Sequence, residues 1–167
     1  MDVNKNSYTF LFATAMVVVV AASLSFAATN LKPFQDTNVE QEKMQSILSS
    51  IQIQVERSEA PEAYGTYITE AIVLQKGEAI EGQDAFAIDL AKEIRKSDEE
   101  RLSPLYIADK DGETYYIIPL QGNGLWGPIW GYVSLKQDIN TVYGATFDHK
   151  AETPGLGAEI NTPVFEE

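Results

Sequence analysis

Glycine, proline and tryptophan crowd together at Gly122-Asn123-Gly124-Leu125-Trp126-Gly127-Pro128-Ile129-Trp130-Gly131, and Glu152-Thr153-Pro154-Gly155-Leu156-Gly157 follows downstream. Glycine spends the most backbone entropy on folding and proline gives up a donor, so such a run is costly for regular structure. It suits a place where backbone must pass close to something flat or bulky, with the indoles as rigid apolar walls. That partner is either a cofactor or another part of the core. In the second segment, proline makes Thr153 extended, and Gly155 and Gly157 let backbone amides approach a ligand. Such a turn fits a polar heterocyclic edge or a phosphate; a plain surface turn has the same composition. Together the segments are expected to form two sides of a slot.

Other chemistries find few residues to carry them. There is no Gly-x-Ser-x-Gly elbow, no cysteine, and one histidine, His149, to serve as a base. Gly122-x-Gly124 is followed by Trp126 and Pro128 where a dinucleotide fingerprint would open a helix, and it fails as a P-loop too. Without cysteine there is no disulfide, cysteine-ligated iron–sulfur cluster or cysteine zinc site, and one histidine argues against a histidine-based metal site. No metal ligands and no acid–base catalytic residues are assigned. Redox chemistry must then ride on an organic cofactor. The formal net charge is −13, which speaks against nucleic acid as a partner, because phosphate binding needs basic patches.

The elements that must position these residues can be read in order. Asn6 to Leu31 carries no charge, and its apolar centre, residues 8–28, spans about 31 Å as a helix against a hydrocarbon core of about 30 Å. It reads as a retained transmembrane anchor after residues 1–7. Lys5 on one side and Lys32 and Lys43 on the other do not decide its orientation. A cytoplasmic N-terminus over residues 1–7 is the expectation that goes with an extracytoplasmic domain. A cleavable signal peptide is the competing reading, disfavoured by the weakly basic start and the long apolar run. Pro33 is expected to close the anchor, and Asp36-Thr37-Asn38 to cap a new amphipathic helix. Met44, Ile47, Leu48, Ile51 and Val55 mark its buried face within a connector over 32–55.

Residues 56–64 read as a charged connector and Tyr67–Leu74 as a strand turned by Lys76-Gly77. Gln83–Lys96 reads as a helix, and Lys96–Arg101 as a solvated segment. Leu105–Ala108 and Thr114–Leu120 form a hairpin around Asp109-Lys110-Asp111-Gly112, a turn rather than a calcium loop. Ile129–Leu135 and Thr141–Phe147 are further strands. The expectation is an α+β chain: one transmembrane helix, then a domain over 56–167 with a mostly antiparallel sheet and flanking helices.

Two stretches carry a resemblance to a known family. One is residues 116–133, from Tyr116 through the Gly-Leu-Trp-Gly-Pro-Ile-Trp run to Val133. The other is residues 146–160, from Thr146 through Glu152-Thr153-Pro154-Gly155-Leu156-Gly157 to Ile160. Both resemble the NqrC-type subunit of Na⁺-translocating NADH:quinone oxidoreductases. The second stretch is also similar to the flavoprotein subunit of Rnf-type electron-transport complexes. What the resemblance implies is an FMN-binding domain on the extracytoplasmic side of the bacterial inner membrane, held by one span in the lipid bilayer. Its partners would be five other subunits of a complex that oxidises NADH, reduces quinone and moves Na⁺ outward. The residues implied to line FMN are Glu152, Thr153, Gly155 and Leu156, with Trp126 as a wall. A cofactor-free tethered scaffold is the reading of another class.

The family attaches FMN through its phosphate to a threonine in a Ser/Thr-Gly-Ala-Thr motif downstream of the Glu-Thr-Pro-Gly-Leu-Gly turn. Here Gly144-Ala145-Thr146 lies upstream of that turn with Tyr143 before it, so Thr146 is not expected to be the acceptor. The acceptor is expected beyond Glu167, in a domain incomplete at its C-terminus.

Overall fold

A computed structural model describes residues 5–162 and 165. Residues Met1–Glu40 and Gln41–Glu167 form two separate compact units. Within the first, the described residues from Asn6 onward are helical, and this helix continues across the boundary as α1, Asn6–Ser50. This helix is long and apolar enough to cross a membrane. Pro33, expected to end it, lies inside it. A proline in a helix interior forfeits one backbone bond at a cost of about 3 kcal/mol, yet the helix runs on through Pro33 to Ser50. Here Thr29 Oγ1 bonds the Ser25 carbonyl at 2.8 Å, Asn30 Nδ2 the Phe26 carbonyl at 2.8 Å, and Thr37 Oγ1 the Pro33 carbonyl at 3.0 Å. Thr37 therefore serves the helix interior and caps no new one.

The second unit begins within α1, whose final turns are core. Ile47, Leu48 and Ile51 are fully buried, as their spacing requires. Gln52 ends the helix in the left-handed region at φ 58°, and the Ile53 N–H returns to the Leu48 carbonyl at 3.0 Å. That is the six-residue closure usual at glycine, made here by glutamine.

Six strands follow, all antiparallel to their neighbours: β1 Ile68–Gln75, β2 Glu78–Ile80, β3 Ser103–Lys110, β4 Glu113–Asn123, β5 Pro128–Lys136 and β6 Val142–His149. Their order in the sheet is β2-β1-β3-β4-β5-β6. The expected hairpin turns are present. Lys76 and Gly77 take φ of 55° and 83°, and Asp111 and Gly112 take 57° and 79°, the pattern of two-residue hairpins that match strand twist.

Alternation along the strands gives the buried face. Val73, Tyr106, Ala108, Tyr115, Ile117, Tyr132 and Ser134 point to it and are covered by the end of α1 and the short helices. Its aromatics meet edge to face: Tyr64 lies 5.9 Å from Phe86 and 6.4 Å from Tyr106. The Tyr106 hydroxyl donates to the Ala85 carbonyl at 3.1 Å, and burial pushes its pKa well up. Pro119 sits in β4 without breaking the sheet. The β3–β4 pairing runs only to Ile117 opposite Tyr106, so beyond it β4 pairs with β5 alone.

Two local expectations are corrected. Residues 60–67 form helix α2, Ala60–Tyr67, rather than an irregular connector, with proline in its first turn. There the missing N–H costs nothing, because that donor has no intrahelical partner. The expected helix at Gln83–Lys96 divides into a 3-10 turn, Ala85–Ala87, and a one-turn helix α3, Leu90–Glu93. Asp84 accepts from the Phe86 N–H at 2.9 Å and Asp89 from the Ala91 N–H at 3.1 Å. Each aspartate starts its own turn by competing with the continuous backbone ladder.

Candidate functional site

Sheet register brings the two glycine-rich segments together. Strand β4 turns into β5 where Asn123 opposes Pro128, and the loop Gly124–Gly127 is closed by the Gly124 N–H donating to the Gly127 carbonyl at 2.7 Å. On the other side of β5, β6 pairs up to His149 opposite Ile129, and one further bond runs from the Lys150 N–H to the Pro128 carbonyl at 3.1 Å. The chain leaving β6 therefore starts its turn beside the tip of the β4–β5 hairpin.

That turn is tightly made. The Thr153 carbonyl accepts from the Leu156 N–H at 2.9 Å and the Ala158 N–H at 3.3 Å. With Pro154 second and Gly155 third at φ 79°, this is the pattern of a type II turn. The Gly155 N–H donates to Glu159 Oε1 at 2.6 Å, and this bond, favouring the ionised form, holds the Glu159 pKa below the usual carboxylate value. A short 3-10 segment, Ala158–Asn161, ends the motif.

Glu152 joins the segments. Its Oε1 accepts the Trp126 N–H at 3.0 Å. The side chain lies against two glycines: a Cβ on Gly124 would run into Oε1, and one on Gly157 would stand 3.3 Å from Oε2. The expected slot is therefore filled between these glycines by a carboxylate. What the joined segments present to solvent is apolar: Leu125 is 72% exposed, Trp126 65% and Leu156 70%. Thr153 is exposed on the same turn. The two tryptophans part company, since Trp130 lies half-buried in β5 beside a hollow of about 210 Å³ lined also by Lys43, Ile88 and Pro119.

Amides expected to face a ligand are used inside the turn: Gly155 donates to Glu159 and Leu156 to Thr153. The turn thus offers apolar side chains and the Thr153 hydroxyl rather than those two donors. Thr146 sits mid-strand in β6 opposite Tyr132, half-buried. One participant was not expected from the sequence. His149 Nδ1 accepts the Glu152 N–H at 3.1 Å, and its Nε2 lies 3.1 Å from the Ala158 carbonyl.

The FMN-binding domain family matches residues 124–166, the span holding the hairpin loop and the turn. Over its length the chain is 33% identical to the NqrC-type subunit of the Na(+)-translocating NADH-quinone reductase of Pseudomonas aeruginosa, covering 97% of this chain and 71% of that protein. The chain belongs to this NqrC family. The same subunit of Haemophilus ducreyi is 30% identical, covering 98% of this chain and 71% of that protein. The solved NqrC-type subunit of Parabacteroides distasonis superposes with a TM-score of 0.75 at 47% identity, over 81% of this chain and 66% of that one. The chain thus spans about two thirds to seven tenths of these members of the NqrC family.

FMN is the cofactor of this domain type. The residues present fit its ring: exposed Trp126 and Leu156 offer the flat apolar contact that an isoalloxazine face needs, on segments whose glycines leave no Cβ to obstruct the joining carboxylate.

Proposed function

We propose that this chain is the FMN-carrying electron-transfer subunit of a membrane complex that oxidises NADH, reduces quinone and moves Na⁺ outward. Helix α1 anchors it in the bacterial inner membrane, and the sheet unit lies on the extracytoplasmic side among partner subunits of the complex. The observation that carries this reading is the exposed apolar trio Leu125, Trp126 and Leu156 on two segments tied by one hydrogen bond, inside the span of the FMN-binding family. Three large apolar side chains left in water on two joined loops support reading this face as a binding surface.

Bound FMN supplies one-electron transfer. The chain's own residues bind and orient the ring. Trp126 and Leu156 cover its faces and exclude water, Thr153 offers a hydroxyl to its polar edge, and Glu152 holds the hairpin loop against the turn. The sheet is the base on which both segments are mounted, through the β4–β5 and β5–β6 pairings.

Titrating the full chain in detergent with FMN, followed by tryptophan and flavin fluorescence, tests the site. Saturable binding that weakens about tenfold in Trp126→Ala and in Leu156→Ala supports it. Binding unaffected by both substitutions would place FMN elsewhere. Recovery of the chain in a complex with NADH-dependent quinone reduction and Na⁺ uptake into inverted vesicles tests the wider role.

A further inference from the structure

We infer that His149 is the positioning residue of this site: as its Nε2–H tautomer it braces the Glu152–Ala158 turn, and through Glu152 it fixes Trp126. It is the one histidine in the chain. Its Nδ1 faces the Glu152 N–H at 3.1 Å, and an amide can only donate there, so Nδ1 is the unprotonated nitrogen. Its Nε2 faces the Ala158 carbonyl at 3.1 Å, which can only accept, so Nε2 carries the proton. One imidazole therefore pins the first residue of the turn to its last, using both nitrogens in the single arrangement the two partners permit.

The ring owes its own place to the sheet, because His149 ends β6 in register with Ile129. The brace transmits that register outward. Fixing the Glu152 backbone fixes where its side chain starts, and its carboxylate then reaches the Trp126 N–H at 3.0 Å. A rigid strand is thus linked to an exposed loop by His149, then Glu152, then Trp126. The arrangement matches the way ligand-orienting residues are held by second partners elsewhere. His149 does not itself contact the exposed faces of Trp126 or Leu156 through any of these bonds. Its consequence for FMN rests on the function proposed above; its consequence for the turn does not.

Native-state hydrogen exchange of the full chain, with ¹⁵N spectra of the imidazole, tests the brace. Wild-type spectra should show Nε2 protonated and Nδ1 bare; the reverse tautomer overturns the inference without any variant. His149→Phe keeps an aromatic ring but neither hydrogen bond. It should speed exchange at the Glu152 and Trp126 amides about tenfold, the equivalent of about 1.4 kcal/mol. His149→Gln, with one donor and one acceptor, should recover part of that protection. Unchanged exchange at both amides in the phenylalanine variant overturns the inference. In a parallel FMN titration, the phenylalanine variant should bind about tenfold more weakly and the glutamine variant in between. Equal FMN affinity in wild type and His149→Phe would overturn the positioning role. A wild-type chain that takes up no FMN would sink the functional reading instead, and the exchange data would still decide the brace.

Discussion

The Glu152 carboxylate occupies the space that a side chain on Gly124 would need. A Cβ there would collide with Oε1 and approach Ile129 Cγ2 to 3.0 Å. The glycine is thus required by a close approach, and the carboxylate that makes the approach also accepts the Trp126 N–H. Gly124→Ala is expected to push the flexible Glu152 side chain aside and break that bond, with unfolding free energy changed by about 1 kcal/mol or less. Trp126 should become more mobile and FMN affinity fall. Fluorescence anisotropy of Trp126, in a Trp130→Phe background, together with a melting curve, separates this local effect from a global one.

Trp126 and Leu156 are mostly in solvent, so the folded state gains little from them. Replacing either with alanine should leave stability within about 0.5 kcal/mol of wild type. FMN affinity should drop about tenfold for each. Trp130→Ala is the contrast: half-buried in a paired strand, it should lower the melting temperature. Equal thermal effects for the two tryptophans would show that their roles have been divided wrongly.

Much of the sheet is legible in the sequence because its signals are local. Alternation in Thr114–Leu120 and the Asp111-Gly112 turn need no tertiary knowledge, and the Ile47, Leu48 and Ile51 spacing already marks the face that the core buries. The errors fall where a local rule met a competitor. Pro33 reads as a stop, yet the helix runs through it to Ser50. Gln83–Lys96 has a helical stripe, yet Asp84 and Asp89 cap separate turns within it. At the site, composition pointed to both glycine-rich segments, but not to the way they join. That depends on β5–β6 register, which sets Glu152 beside Gly124 and gives His149 two partners. A lone histidine three residues before a glutamate carries no such message until the turn is closed.

Glu159 makes the turn sensitive to acid. The Gly155 N–H donates to its carboxylate at 2.6 Å, which lowers its pKa below the unfolded value of about 4.3. A depressed folded pKa means the stabilisation is complete above the unfolded value and is lost as pH falls through the folded one. Exchange at the Gly155 amide should therefore be slow and pH-independent, after correction for intrinsic rates, from neutrality down to about pH 5. It should accelerate further down. Glu159→Gln keeps an acceptor but no charge, and should flatten that acid limb. An unaltered limb in this variant would assign the acid sensitivity to another carboxylate.

The end of α1 is locked to the sheet by side chains that bond the carbonyls there, and here substitutions should act on the whole fold. The Ser50 carbonyl accepts Ser134 Oγ at 2.5 Å, and Ser134 Oγ also lies 3.1 Å from the Gly144 carbonyl. Lys110 Nζ donates to the Ile51 carbonyl at 2.9 Å, completing the cap. A Cβ on Gly144 would stand 2.5 Å from the Ser50 carbonyl oxygen, and backbone on both sides leaves no flexible group to yield. Gly144→Ala should destabilise by about 1–3 kcal/mol through overpacking, and Ser134→Ala by a similar amount through a buried carbonyl left unsatisfied. The two residues share the Ser50 carbonyl, so the double variant should cost less than the sum. Denaturant melts of the two single variants and the double variant measure this directly. Strict additivity would mean that the helix end is held elsewhere and that these contacts are incidental to its docking.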